Sequence, residues 1–184
     1  MIADDKPLIN RVAESGLITI NLEQFFPKEP IVSFDIKDYL FKGLILKETD
    51  FREALKAHSW DQYSGKHLAV FCSTDAIIPV WAFMLVASLA TPYAIHVAEA
   101  TPEEYLKLYY QRALNALDYT SYSGQRIVIK GCSDKPVPPY AYVELTRLLF
   151  PFAQSIMYGE PCSTVPVFKR PRVLKATAAK DDMM

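Results

Sequence analysis

The sequence predicts a single α/β domain, with a mostly parallel or mixed sheet flanked by helices and an internal duplication of an α-β-α-β unit. Three observations carry this. Short apolar, β-branched runs alternate with longer segments of helical spacing, the pattern of strands joined by crossover helices. A stretch of the chain recurs 59 positions later. The chain has 184 residues, 51% of them hydrophobic and 22% charged, which suits one globular domain able to bury a core without disulfides or metal staples.

The recurrence begins where Phe51 to Phe71 lies over Tyr110 to Lys130. Ala54, Leu55, Ala57, Tyr63, Ser64 and Gly65 meet Ala113, Leu114, Ala116, Tyr122, Ser123 and Gly124. After a one-residue shift at Gly131, Cys72-Ser73 meets Cys132-Ser133. The offset of 59 then returns, so that Asp75, Pro79 and Ala82 meet Asp134, Pro138 and Ala141, and Leu89, Pro92 and Ala94 meet Leu148, Pro151 and Ala153. Identities at glycine, cysteine and proline favour a duplication over a chance match of apolar segments. The expected layout is an N-terminal extension over 1–50, repeats over about 51–98 and 110–157 within one domain spanning 1–172, and a tail over 173–184.

Upstream of the repeats, Leu17–Leu22, Ile31–Phe34 and Leu44–Lys47 read as short strands. In each repeat a helix (Phe51–Ala57 in the first) leads to a Tyr-Ser-Gly turn. A short apolar strand follows, Leu68–Phe71 or Ile127–Lys130. Pro79 and Pro138-Pro139 suit the first turn of the next helix, where a missing N–H costs little. Those helices run to about Ala90 and Leu149, and Pro92 and Pro151 stop them. Tyr93–Ala98 and Phe152–Tyr158 read as the following strands. Thr101-Pro102-Glu103-Glu104 opens another helix, with Thr101 as N-cap.

Twenty basic and twenty-one acidic residues leave a net charge of −1, so no field for nucleic acid is expected. Ala76 to Val97 contains no Asp, Glu, Lys or Arg, which raises the question of a membrane span. Its counterpart, Lys135 to Ile156, carries Lys135, Glu144 and Arg147, and two copies of one unit should share an environment. The helix Pro79–Ala90 is also too short to cross a hydrocarbon core of about 30 Å. It is expected to be buried against a sheet or a partner. The N-terminus has two early acids and no apolar signal region, so a cytoplasmic location without membrane association is expected. The tail, basic and then acidic, reads as frayed.

The chemistry-bearing residues are Cys72, Cys132 and Cys162, whose contexts are Cys-Ser-Thr, Cys-Ser-Asp and Cys-Ser-Thr. An odd, widely spaced count argues against a disulfide framework. Cys72 and Cys132 each end a predicted strand, and ligands collect at the carboxyl edge of parallel sheets. If the strands are parallel, the three thiols lie towards one edge and would suit zinc or an iron–sulfur cluster. Asp75, Asp134 and Glu160 are the candidates for additional or supporting ligands. Against this stands the tendency of free cysteine simply to pack.

A nucleophilic cysteine would need a base, and the candidates are His58, His67 and His96, each read more simply as a structural histidine. No P-loop, G-x-G-x-x-G or paired-carboxylate signature is present. Whether the chain is an enzyme is left open. Tyr105, Tyr109 and Tyr110, with Leu106 and Leu108, form an aromatic helix expected in the core or at a subunit interface, since no basic patch interleaves it.

The segments WDQYSGKHLAVFCSTDAIIPVWAFMLV, VIKGCSD and SIMYGEPCSTVPVFKRP resemble an uncharacterised bacterial family, a domain of unknown function, over roughly Gly16 to Pro171. The resemblance implies no activity and transfers no site residues. It associates the chain with iron–sulfur assembly genes, which supplies no mechanism. The leading expectation is a metal- or thiol-handling accessory protein, linked to iron–sulfur biogenesis, with Cys72, Cys132 and Cys162 as ligands. The alternatives are a non-enzymatic interaction protein, a homodimer or a protein partner's binder, with structural cysteines, and a thiol-dependent enzyme.

Overall fold

A computed structural model describes residues 16–131 and 134–171. In chain order the elements are β1 (Leu17–Asn21), β2 (Ile31–Asp35), α1 (Glu48–Ala57), β3 (His67–Phe71), α2 (Val80–Ala90), β4 (His96–Glu99), α3 (Pro102–Asn115), β5 (Arg126–Lys130), α4 (Pro139–Leu149), β6 (Ser155–Glu160) and β7 (Ser163–Lys169). The fold is α/β with a parallel and a mixed sheet flanked by helices.

The strands form two sheets rather than one. The first has the order β2-β3-β4 and is wholly parallel; the second has the order β1-β5-β6-β7, parallel except for β7. The unit β2-α1-β3-α2-β4 is therefore inserted between β1 and the elements that complete β1's own sheet. The central strands β3 and β5 are nearly fully buried, which explains why they read as continuous apolar runs.

The two units make the same hydrogen bonds at positions 59 apart. Trp60 Nε1 donates to the Leu55 carbonyl at 3.0 Å, and the Tyr119 hydroxyl donates to Leu114 at 2.8 Å. Ala82 N–H donates to Pro79 and Ala141 N–H to Pro138, closing the first turns of α2 and α4. Gly65 and Gly124 both have φ of +69°, a backbone that favours glycine at the turn before the central strand.

β1 and β2 are also built alike, 14 positions apart. Each runs into a single 3₁₀ turn whose N-cap side chain folds back: Asn21 Oδ1 accepts from Glu23 N–H at 3.1 Å, and Asp35 Oδ1 from Lys37 N–H at 3.0 Å.

Each sheet has its own core. Phe34, Ile36, Phe51, Leu55, Leu68, Val86 and Ala90 fill that of the inserted unit. Leu22, Tyr110, Leu114, Ile127, Leu145, Leu149 and Ile156 fill the other. Helix α3 serves both. Thr101 caps it as the sequence predicts, in a capping box with Glu104. Tyr110 is fully buried against the β1 sheet, where its hydroxyl donates to the Leu22 carbonyl at 3.1 Å. Tyr105, about 140° away around the helix, packs with Ala69 and Ala100 against the other sheet.

Several local expectations change. Leu44–Lys47 is not a strand; a tight turn with positive φ at Lys42 and Gly43 leaves only the bridge Phe41–Ile45. The strands expected from Tyr93 and Phe152 begin at His96 and Ser155, because the helix-ending turns occupy the intervening residues. Strand β7 was not expected: Pro166 argues against a strand, yet it sits on an edge beside the register shift at Ile156/Met157. Residues 173–184 lie outside those described.

Replacing Tyr110 with Phe should lower the unfolding free energy in urea by about 1–3 kcal/mol, the cost of leaving the buried Leu22 carbonyl without its donor. Tyr93→Phe, at an exposed tyrosine, should change it by less than about 0.5 kcal/mol. Equal effects of the two substitutions would refute the buried role of Tyr110.

Candidate functional site

Cys72 follows β3 and is half-buried, with Sγ 3.3 Å from Thr74 Oγ1. Cys162 is exposed in the turn between β6 and β7. The two described thiols thus stand on different sheets, so one shared sheet edge does not bring them together. Cys132 lies outside the described residues. Asp75 is exposed beyond β3. Asp134 is exposed, and its backbone N–H donates to Glu23 Oε1 at 3.0 Å. Glu160 forms an ion pair with Lys130 at 3.1 Å. Among the described residues no group of three or more His, Cys, Asp or Glu is placed to hold a metal ion.

The structure gathers different groups. His67 and His96 open adjacent parallel strands and are register partners. Both Nδ1 atoms meet the Tyr105 hydroxyl, at 3.1 Å from His67 and 2.8 Å from His96, while Arg112 Nη2 lies 3.3 Å from His96 Nδ1. Arginine only donates, so His96 Nδ1 acts as acceptor. The tyrosine hydroxyl also donates to the His96 carbonyl at 3.3 Å, so it ties both histidines and the β4 backbone together. His67 is 6% exposed, and its Nε2 has no hydrogen-bond partner among the described residues.

The inserted unit holds a second cluster. His58 Nδ1 is 3.1 Å from the Tyr39 hydroxyl and its Nε2 is 2.9 Å from the Tyr63 hydroxyl. Its ring is stacked on Tyr63 and tilted against Trp60.

Burial holds all three histidines below their ordinary pKa. At His67 it outweighs an opposing pull from Glu29 and is aided by Arg112; at His96 Arg112 and His67 add to it. Burial, with Tyr39 nearby, pushes the Tyr63 phenol up to about 12. These groups are neutral, aromatic-packed hydrogen-bonding centres, as the simpler reading of each histidine holds. The pairing of His67 with His96 had a signal in the sequence. They are 29 residues apart, the spacing of Arg126 and Ser155 at the matching strand starts.

The third feature is a pair of equivalent grooves, each between the second helix of a unit and its last parallel strand. In the inserted unit, a groove of about 200 Å³ is lined by Val70, Phe83, Met84, Ala87, Val97, Ala98 and Glu99. Each of these has its counterpart 59 positions later in the other groove: Ile129, Tyr142, Val143, Thr146, Ile156, Met157 and Tyr158. There Val167 of β7, with Val137 and Pro139, extends the space to about 570 Å³. Exposed apolar side chains crowd both: Met84 is 67% and Val143 69% exposed. No described helix is long and apolar enough to cross a membrane.

The depressed histidines predict a pH dependence. The unfolded chain binds protons at about pH 6.5, whereas the folded chain binds them only at lower pH. Stability is therefore full above about pH 6.5 and falls as the pH drops below it. The urea unfolding free energy should be smaller at pH 5.5 than at 7.5; an equal or larger value would refute the depression.

No curated protein and no solved structure matches the chain. A family model does, over residues 6–170, most of the length. On that match the chain belongs to the family described as "Protein of unknown function (DUF2480)".

Proposed function

We propose that this chain is a non-enzymatic interaction protein that receives an apolar segment of a partner in the groove between α4 and the β6–β7 hairpin. The observation that supports this reading is the groove's lining. Val143, Met157, Tyr158 and Val167 form an open apolar trough, and Val143, Tyr158 and Val167 are 69%, 40% and 55% exposed. A mostly apolar groove of this volume is in the size range of binding pockets. The charged residues of α4 do not obstruct it: Glu144 is buried, paired with Arg147 at 2.7 Å and bonded by Asn115 of α3 at 3.2 Å.

A photo-crosslinking amino acid placed at Val143 in the producing cell should give a discrete protein adduct. The same residue at exposed Asp61 should not. No adduct from position 143, or the same adducts from both, would refute the reading.

A second reading is metal or thiol handling through Cys72, Cys132 and Cys162, with Asp75, Asp134 and Glu160 as supporting ligands and zinc or an iron–sulfur cluster as the cargo or cofactor. Its support is that neither described thiol is fully buried, unlike the packed cysteines that make up most free thiols. Elemental analysis of the full chain purified without oxygen should then find zinc or iron at a molar ratio near one or above. The ratio should fall in Cys72→Ser and Cys162→Ser. Metal-free protein would eliminate this reading and leave the first untouched.

A further inference from the structure

We propose that β4 is a pairing edge for a second copy of this chain: the two β4 strands run antiparallel about a two-fold axis and join two three-stranded sheets into one of six. The proposal concerns the inserted unit and stands independently of the partner at the α4 groove.

The two units differ at their last parallel strand. The β6 edge is covered by β7, which lies antiparallel on it. The matching edge of β4 ends its sheet, with no strand beyond it among the described residues. Burial follows. Ser155 and Ile156 of β6 are buried, whereas their counterparts His96 and Val97 are only half-buried. Since the two strands are held by the same framework, the β4 edge presents the ladder that β6 offers to β7. An antiparallel strand is what that ladder accepts. An uncovered strand edge is a template for another chain unless charge, proline or a bulge blunts it, and His-Val-Ala-Glu has no proline and carries its acid, Glu99, only at its last position.

A two-fold axis sets like against like, so the occupant can be read from the charge pattern. Any charged side chain near the axis would meet its own copy. The run from Ala76 to Val97, which supplies α2 and the first half of β4, contains no Asp, Glu, Lys or Arg, and Arg112, which approaches the strand from α3, is held on the ring of His96 at 3.3 Å. The corresponding run of the other unit has three, Lys135, Glu144 and Arg147. Antiparallel pairing about an axis normal to the sheet keeps each side chain on its own face, so the axis, midway between the strands, lies level with a residue rather than with a peptide bond. With the axis level with Val97, Val97 meets Val97 of the second copy. Glu99 then lies opposite Ile95, four positions along the strand from its own copy and thus about 13 Å away. On the same face Met84 overlooks the edge from α2, and Ile95 immediately precedes the strand; they are 67% and 52% exposed. The pairing covers both. The ladder is short, so the dimer belongs at the weak end of stable interfaces.

Sedimentation equilibrium of the full chain over about 1–200 µM should show a monomer–dimer equilibrium. Met84→Glu should weaken it at least tenfold. Val143→Glu, at the matching exposed position of the other unit, should leave it unchanged. Amide hydrogen exchange at 95–99 should slow as concentration rises. A monomer throughout the range overturns the proposal. So does a dimer weakened by Val143→Glu but not by Met84→Glu, or a dimer whose β4 amides exchange equally fast at both ends of the range. A monomer, or β4 amides that exchange equally fast, leaves crosslinking at position 143 untouched, whereas a dimer weakened by Val143→Glu would show up there as an adduct of the chain with itself, so the two readings fail separately.

Discussion

The structure depends on one helix being buried on two sides. A helix on one sheet needs an apolar stripe of about 100°. Helix α3 carries Tyr105, Leu106, Leu108, Tyr109, Tyr110, Ala113 and Leu114, a much wider band, because it touches both sheets. Its two fully buried tyrosines tie a sheet each: Tyr110 through the carbonyl of Leu22, Tyr105 through the rings of His67 and His96. A tyrosine can do this where phenylalanine cannot, since its hydroxyl satisfies polar groups that its own ring has shut away from water. The capping box at Thr101 fixes where the helix begins and hence which side chain faces which sheet.

Around this helix the two units keep the same framework and vary its ends. Their turns, helix starts and central strands superpose in hydrogen bonding at a constant spacing. Their outer parts diverge in chemistry. Where α2 has Leu85 and Ser88, α4 has Glu144 and Arg147, which bind one another and Asn115 and so fasten α4 to α3. Where the inserted unit stops at β4, the other continues into β7. Both grooves persist through these changes, but the additional strand nearly triples the volume of one.

Much of this was legible in the sequence. The central strands, both crossover helices and the Thr101 cap follow from β-branched runs, prolines at helix starts and a Ser/Thr-x-x-Glu pattern, which are local signals. The division into two sheets was not legible, because β1 and β2 are both short and amphipathic and nothing local states which central strand each will join. Their likeness was hidden too. LITINLEQFF and IVSFDIKDYL match in character at nearly every position without one identity, and they lie 14 apart rather than 59. Pro166 concealed β7 for a different reason: the rule against proline in strands relaxes at an edge. The histidine pair was missed because Tyr93, taken as a strand start, puts His96 three residues into the strand instead of at its first position. Cys72 and Cys162 stand on different sheets; the likeness of their Cys-Ser-Thr contexts is local, and says nothing of which sheet each will join.

The insertion of one unit inside the other has a consequence for biosynthesis. β2 finds β3 after 36 positions, so the inserted unit can pair soon after it leaves the ribosome. β1 is made first and must wait for β5, 109 positions later. At translation rates of roughly 5–20 residues per second, that is a delay of about 5–20 s. Throughout it, a short strand with the apolar Leu17, Ile18 and Ile20 has no native sheet to join. The arrangement keeps an apolar strand unpaired while the whole inserted unit is made, and gives any chaperone acting during synthesis a segment to shield until β5 arrives.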